Sequence, residues 1–146
     1  MNELNISIEK IIDNSIIQNQ GELFEYASEC GLNSETFIRL FMTSQLARIM
    51  DREYSSIQLY DRTYLLEALI DEVGEIKHDG EVYSPLEMRE IGEKYRYWHY
   101  KTGETSKHIY SQMKPNTRKA HRIMLLESDD DYAIEKLKDR FHENHN

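Results

Sequence analysis

Only two prolines and six glycines interrupt the 146 residues of this chain. So few turn formers and helix breakers favour long regular segments over many short strands. Apolar residues also recur at helical spacing along most of the sequence. Ile6, Ile8, Ile11, Ile12, Ile16 and Ile17 mark a first amphipathic helix. Gly21 is expected to open a second, with Leu23, Phe24 and Ala27 on one face and Gly31 as its stop. Asn33 or Ser34 can cap a third through Phe37, Ile38, Leu40 and Phe41. Leu46, Ile49 and Met50 extend it or begin a short fourth. Tyr64, Leu65, Ala68, Leu69 and Val73 form a strong helix ending at Gly74.

A polar loop with two glycines follows over 74–83, where a short hairpin is allowed but not required. Ser84-Pro85-Leu86-Glu87 is the clearest local signal in the chain. A serine hydroxyl can accept from the N3 amide, proline suits a position whose amide has no partner, and the glutamate can reach back. The helix it starts should reach Thr102 and stop at Gly103. Ser106 is expected to cap the next, through Ile109, Tyr110 and Met113, limited by Pro115. Asn116 or Thr117 then opens a segment with Ile123, Met124 and Leu125. After Ser128, three aspartates at 129–131 suit the positive end of a last helix, which buries Ala133, Ile134, Leu137 and Phe141. These elements predict an all-α fold, a compact bundle of seven to nine helices in one domain over 1–146, with a frayed tail at 142–146.

Charge separates along the chain. The whole carries −9, yet 94–125 holds Lys94, Arg96, Lys101, Lys107, Lys114, Arg118, Lys119 and Arg122 against the single carboxylate of Glu104, a local +7. Tyr95, Tyr97, Trp98, Tyr100 and Tyr110, with three histidines, are interleaved with them. Such a stretch is either an anion-binding surface or the complement of the acidic helices elsewhere in the fold. Ile91, Tyr95, Trp98 and Thr102 share one helical stripe, which marks Trp98 as core. Tyr97 and Tyr100 lie off it.

The order helix, glycine turn, helix over 94–112 also fits a DNA-reading helix-turn-helix. Ser106, Lys107, His108 and Ser111 would then face bases, with Lys101 and Lys114 on phosphates. Against it, His99 stands where a small residue is usual and Gln112 where an apolar one is expected.

No catalytic signature emerges: there is no phosphate loop, HExxH or nucleophile elbow, and no cofactor or metal is implied. His142 and His145 lack the supporting residues of a metal site. Asp71, Glu72 and Glu75 read as a solvated helix end. The lone Cys30 reads as a structural thiol and fits a reducing, cytoplasmic setting without membrane contact. A small polar site among Arg96, His99 and Tyr100 is the one place an enzyme or ligand-binding domain would use.

GEVYSPLEMREIGEKYRYWHYKTGETSKHIY, residues 80–110, and DDDYAIEKLKDRF, residues 129–141, are similar to a group of small helical proteins of Firmicutes. The group's Ser-Ser-Lys turn reads Thr105-Ser106-Lys107 here. The resemblance covers the C-terminal half. It implies a setting beside toxin-like genes, with this chain as the neutralising or accessory component of a toxin–antitoxin or phage-defence pair. It brings no catalytic residues. The expectation is therefore a non-enzymatic protein whose partner is a cognate toxin or another protein. Arg96, Tyr97, Tyr100, Lys101, Lys107, His108 and Tyr110 would form the contact surface. The alternative is a helix-turn-helix regulator on operator DNA through Lys101, Ser106, Lys107, His108, Ser111 and Lys114.

Overall fold

A computed structural model describes residues 3–53, 55–114, 117–127 and 129–145, with side chains described from residue 8 to 140. Among the described residues the chain is all helical. Eight α-helices run in the order α1 Glu3–Glu29, α2 Ser34–Met42, α3 Gln45–Met50, α4 Arg62–Val73, α5 Pro85–Thr102, α6 Ser106–Met113, α7 Thr117–Leu126 and α8 Asp130–His145, with a 3₁₀ turn at Ser56–Leu59 before α4. None is long and apolar enough to cross a membrane.

The local signals explain most boundaries. Asn33, Ser44, Asp61 and Ser84 each accept an amide of the following first turn with their side chains. Pro85 follows Ser84, and Gly103 ends α5 in a left-handed conformation at φ 75°. The next cap is Thr105 rather than Ser106, whose hydroxyl is drawn instead to Asp51. Asp129 accepts from the Tyr132 amide at the start of α8. Ser128, Pro115 and Asn116, and the side chains of Phe141, His142 and His145, lie outside the described residues.

Two expectations for α1 are overturned. Gly21 opens no second helix, because α1 runs unbroken through it. A glycine there serves packing: an added Cβ would lie 2.5 Å from Glu93 Cγ and 3.1 Å from the Arg89 carbonyl. Gly92 on α5 answers it, since a Cβ there would meet Phe24 Cγ at 2.7 Å and the Gln20 carbonyl at 3.0 Å. The two longest helices of the core thus cross with their backbones nearly touching, at glycines in both. Around this crossing pack Phe24, Phe37 and Phe41, edge to face from Phe24 to each of the others. Tyr95, Trp98, Leu65 and Leu69 complete the centre.

The second correction concerns the isoleucines. Ile16 is buried and Ile17 half-buried, but Ile8, Ile11 and Ile12 are exposed, Ile11 at 65%. No residue between Ile8 and Ser15 is buried. Helical spacing of apolar residues identified the helix correctly, but from Ile8 to Ser15 that face turns away from the core; the Ile6 side chain lies outside the described residues.

The 74–83 segment forms no hairpin. It lies against the start of α2, where the Asn33 and Ser34 amides donate to the carbonyls of Lys77 and Glu81 at 2.8 and 3.0 Å. Ile76 and Tyr83 anchor it in the core.

Candidate functional site

The basic aromatic helix α5 divides into three environments. Its inner face holds Tyr95, Arg96 and Trp98, all at most 1% exposed. Arg96 was expected at a contact surface, but its guanidinium is the polar centre of the bundle. Nε donates to Gln20 Oε1 at 2.8 Å, and Nη1 donates to Asp51 Oδ1 at 2.8 Å and to the Met50 carbonyl at 3.3 Å. Asp51 in turn accepts from the Ser106 amide and hydroxyl at 2.8 and 2.7 Å. One buried ion pair therefore joins α1, α3, α5 and α6. Ser106 is buried by it and cannot face a base, and Tyr110 is buried at 6%.

The outer face of α5 meets the acidic start of α8. Tyr97 donates to Asp131 Oδ1 at 2.5 Å, Lys101 lies 3.5 Å from Asp131 Oδ2, and Lys94 lies 3.7 Å from Asp130. Arg118 stacks over the Tyr83 ring at 4.0 Å, within reach of Glu81 and Glu87. Much of the local positive charge is thus spent inside the fold. What stays exposed is a stripe along α6, formed by Lys107, His108, Ser111 and the capping Lys114, together with Lys119 and Arg122 on α7; of these, His108 lies 3.4 Å from Glu104.

Glu104, the lone carboxylate of the stretch, is a further internal hub. It accepts from Trp98 Nε1 and Gln112 Nε2 and pairs with Lys138. Burial raises its carboxyl, but these bonds outweigh it and hold the group below the ordinary range. Gln112, the odd polar residue of the proposed recognition helix, is buried because Glu104 needs it. His99 is held by the Glu104 carbonyl at 2.7 Å from Nδ1. Glu72 is likewise structural: its carboxylate accepts from the Gln45 and Leu46 amides at the start of α3. Among the described residues no three His, Cys, Asp or Glu side chains converge to hold a metal.

The third environment is a cleft of about 400 Å³ where the exposed half of α1 passes the end of α5. Ile12, Ile16 and Tyr100 supply its apolar walls, and Glu9, Asp13 and Glu53 line it with carboxylates. Asp51 also reaches it, but is already paired with Arg96. Burial, reinforced by Glu9 and Glu53 and opposed by His99, raises the Asp13 carboxyl above its ordinary value. Burial pushes Tyr100 up to about 12. Its hydroxyl is shielded from water and has no hydrogen-bond partner among the described residues. Of the sequence-predicted contact residues, the cleft gathers Tyr100 alone. Tyr97 and Lys101 lie on the α8 side, and Lys107 and His108 on α6. Sequence reasoning had placed a small polar site at Arg96, His99 and Tyr100. It missed Glu9, Asp13 and Glu53, because nothing local links positions 9, 13 and 53 to position 100.

No protein-family model matches the chain, and no curated protein or solved structure matches it either.

Proposed function

We propose that this protein acts by binding another protein, as the neutralising or accessory component of a toxin–antitoxin or phage-defence pair. The observation that carries the reading is the outward face of α1. Ile8, Ile11 and Ile12 stand exposed on a regular helix beside a cleft walled by Ile16 and Tyr100. Single exposed apolar residues are ordinary, but three within two turns, bordering a concavity and rimmed by charge, form the pattern of an interface. A helix face of this kind works without catalysis: it covers a partner's surface. The resemblance of residues 80–110 and 129–141 to proteins encoded beside toxin-like genes supplies the setting.

The test is co-expression of the tagged chain with each flanking gene product, followed by purification and a growth assay. A stable complex and rescue from a toxic neighbour are expected, both lost in Ile11→Asp. That residue is 65% exposed, so its replacement leaves the fold intact. Failure of every flanking product to co-purify, or a complex indifferent to Ile11→Asp, would overturn the reading.

A second reading, a regulator on operator DNA, is favoured by the open stripe of Lys107, His108, Ser111 and Lys114 on α6. It predicts binding that weakens steeply with salt and with Lys107→Ala. Its contact set would exclude Ser106.

A further inference from the structure

We infer that the α1–α5 cleft receives an arginine side chain from the partner protein. This rests on the protein-binding reading above and adds the chemistry of what is bound. Three features of the cleft converge on it.

The first is charge. With Asp51 matched to Arg96, the described lining leaves Glu9, Asp13 and Glu53 against one permanent cation, Arg52. Glu9 and Glu53, opposed by His99, act on the Asp13 carboxyl, and the Arg52 side chain is exposed. The carboxylates therefore repel one another at the mouth of a partly dry concavity, where a cation from outside would be attracted strongly. An anionic ligand, a nucleic acid phosphate included, would be repelled.

The second is shape and polarity. Ile12 and Ile16 form walls suited to the methylene stem of a long cationic side chain, which buries its carbons and presents its head to the carboxylates. Tyr100 adds an aromatic ring at the same place. A guanidinium stacks on such a ring while its planar edge stays free for carboxylates, which an ammonium cannot match.

The third is the Tyr100 hydroxyl, which has no hydrogen-bond partner among the described residues. A shielded polar group without a partner carries a free-energy penalty. A small movement of the ring would let it accept an N–H from an incoming guanidinium, which has five to offer.

The partner segment would lie along α1, setting apolar residues on Ile8 and Ile11 and its arginine between Asp13 and Tyr100. The probes are a short amphipathic helical peptide carrying one central arginine and a twin with neutral citrulline in its place, each titrated into the full chain by amide NMR. The arginine peptide is expected to shift the amides of Ile12, Asp13 and Tyr100 and to bind about tenfold more tightly than its twin. Asp13→Asn should shrink that difference several-fold while leaving the citrulline peptide's affinity unchanged, and an undiminished difference would overturn the placement of the arginine at Asp13. This substitution relieves repulsion, so the fold tolerates it. Equal binding of the two peptides at α1 would overturn the arginine reading while leaving the docking face of α1 standing. Shifts confined to other helices, or no binding by either peptide, would overturn the inference. Co-purification with a flanking gene product, sensitive to Ile11→Asp, would then decide the broader reading separately.

Discussion

Protonation of His121 is expected to couple the stability of the core to mild acid. The ring is fully buried, edge-on to Tyr95 and Tyr83, and its Nε2 shares a 2.6 Å hydrogen bond with the Tyr95 hydroxyl. Nδ1 has no partner among the described residues. Burial, helped by the nearby Arg118 charge, lowers its pKa from 6.5 to about 3. In the unfolded chain the imidazole titrates normally, so between those two values the unfolded state binds one proton more than the folded state. Stability from the buried neutral ring is therefore complete well above pH 6.5 and is lost as pH falls toward 3. The slope approaches about 1.4 kcal/mol per pH unit, which amounts to about 2 kcal/mol between pH 7 and pH 5. Urea unfolding followed by fluorescence of the sole tryptophan, the buried Trp98, measures it directly. The reference is the double variant His121→Phe/Tyr95→Phe, which removes the titrating ring without stranding the tyrosine hydroxyl. Surface histidines and carboxylates titrate alike in both proteins and cancel in the comparison. If the variant loses as much stability as the wild type over this pH range, the reasoning fails.

Two further perturbations probe the packing. Asp51→Ala strands the Arg96 guanidinium in the core and should cost about 3–5 kcal/mol in urea unfolding. Arg96→Met combined with Asp51→Leu should cost less than the single change, and a single change costing under about 1 kcal/mol would refute the assignment of Arg96 as a buried charge dependent on Asp51. Gly92→Ala should destabilise by about 1–3 kcal/mol despite alanine's better helix propensity, because the new methyl meets the Phe24 ring and the Gln20 carbonyl. A thermal melt showing stabilisation would disprove the close α1–α5 crossing.

Local chemistry made the helix boundaries readable. Ser84-Pro85-Leu86-Glu87, Asn33, Gly74 and Gly103 act through bonds to residues three or four positions away, so their neighbours in sequence are enough to interpret them. The errors arose where a residue answers to something distant. Gly21 has the composition of a helix break, but its lack of a side chain serves Glu93 and Arg89, some seventy positions later. Ser106 has the composition of a cap, but Asp51 claims its hydroxyl. Arg96 looks like surface charge because helical spacing does not reveal that Gln20 and Asp51 wait inside. The cleft was half legible for the same reason. Tyr100 and His99 stood out as neighbours on one helix, whereas Glu9, Asp13 and Glu53 reach the cleft only once α1 and the segment after α3 have folded against α5.

The two halves of α1 are under different obligations. From Ile16 onward most positions are buried or half-buried, many of them against α5 across a gap set by two glycines, so substitution there is filtered by folding itself. From Ile8 to Ser15 the helix has no buried residue and contributes little to the core. Mutations from Ile8 to Ser15 carry little folding cost, and under the proposed function they act through what the partner meets. A lineage could therefore retarget the protein by rewriting two helical turns, while the remaining helices persist unchanged as the mount that keeps those turns rigid.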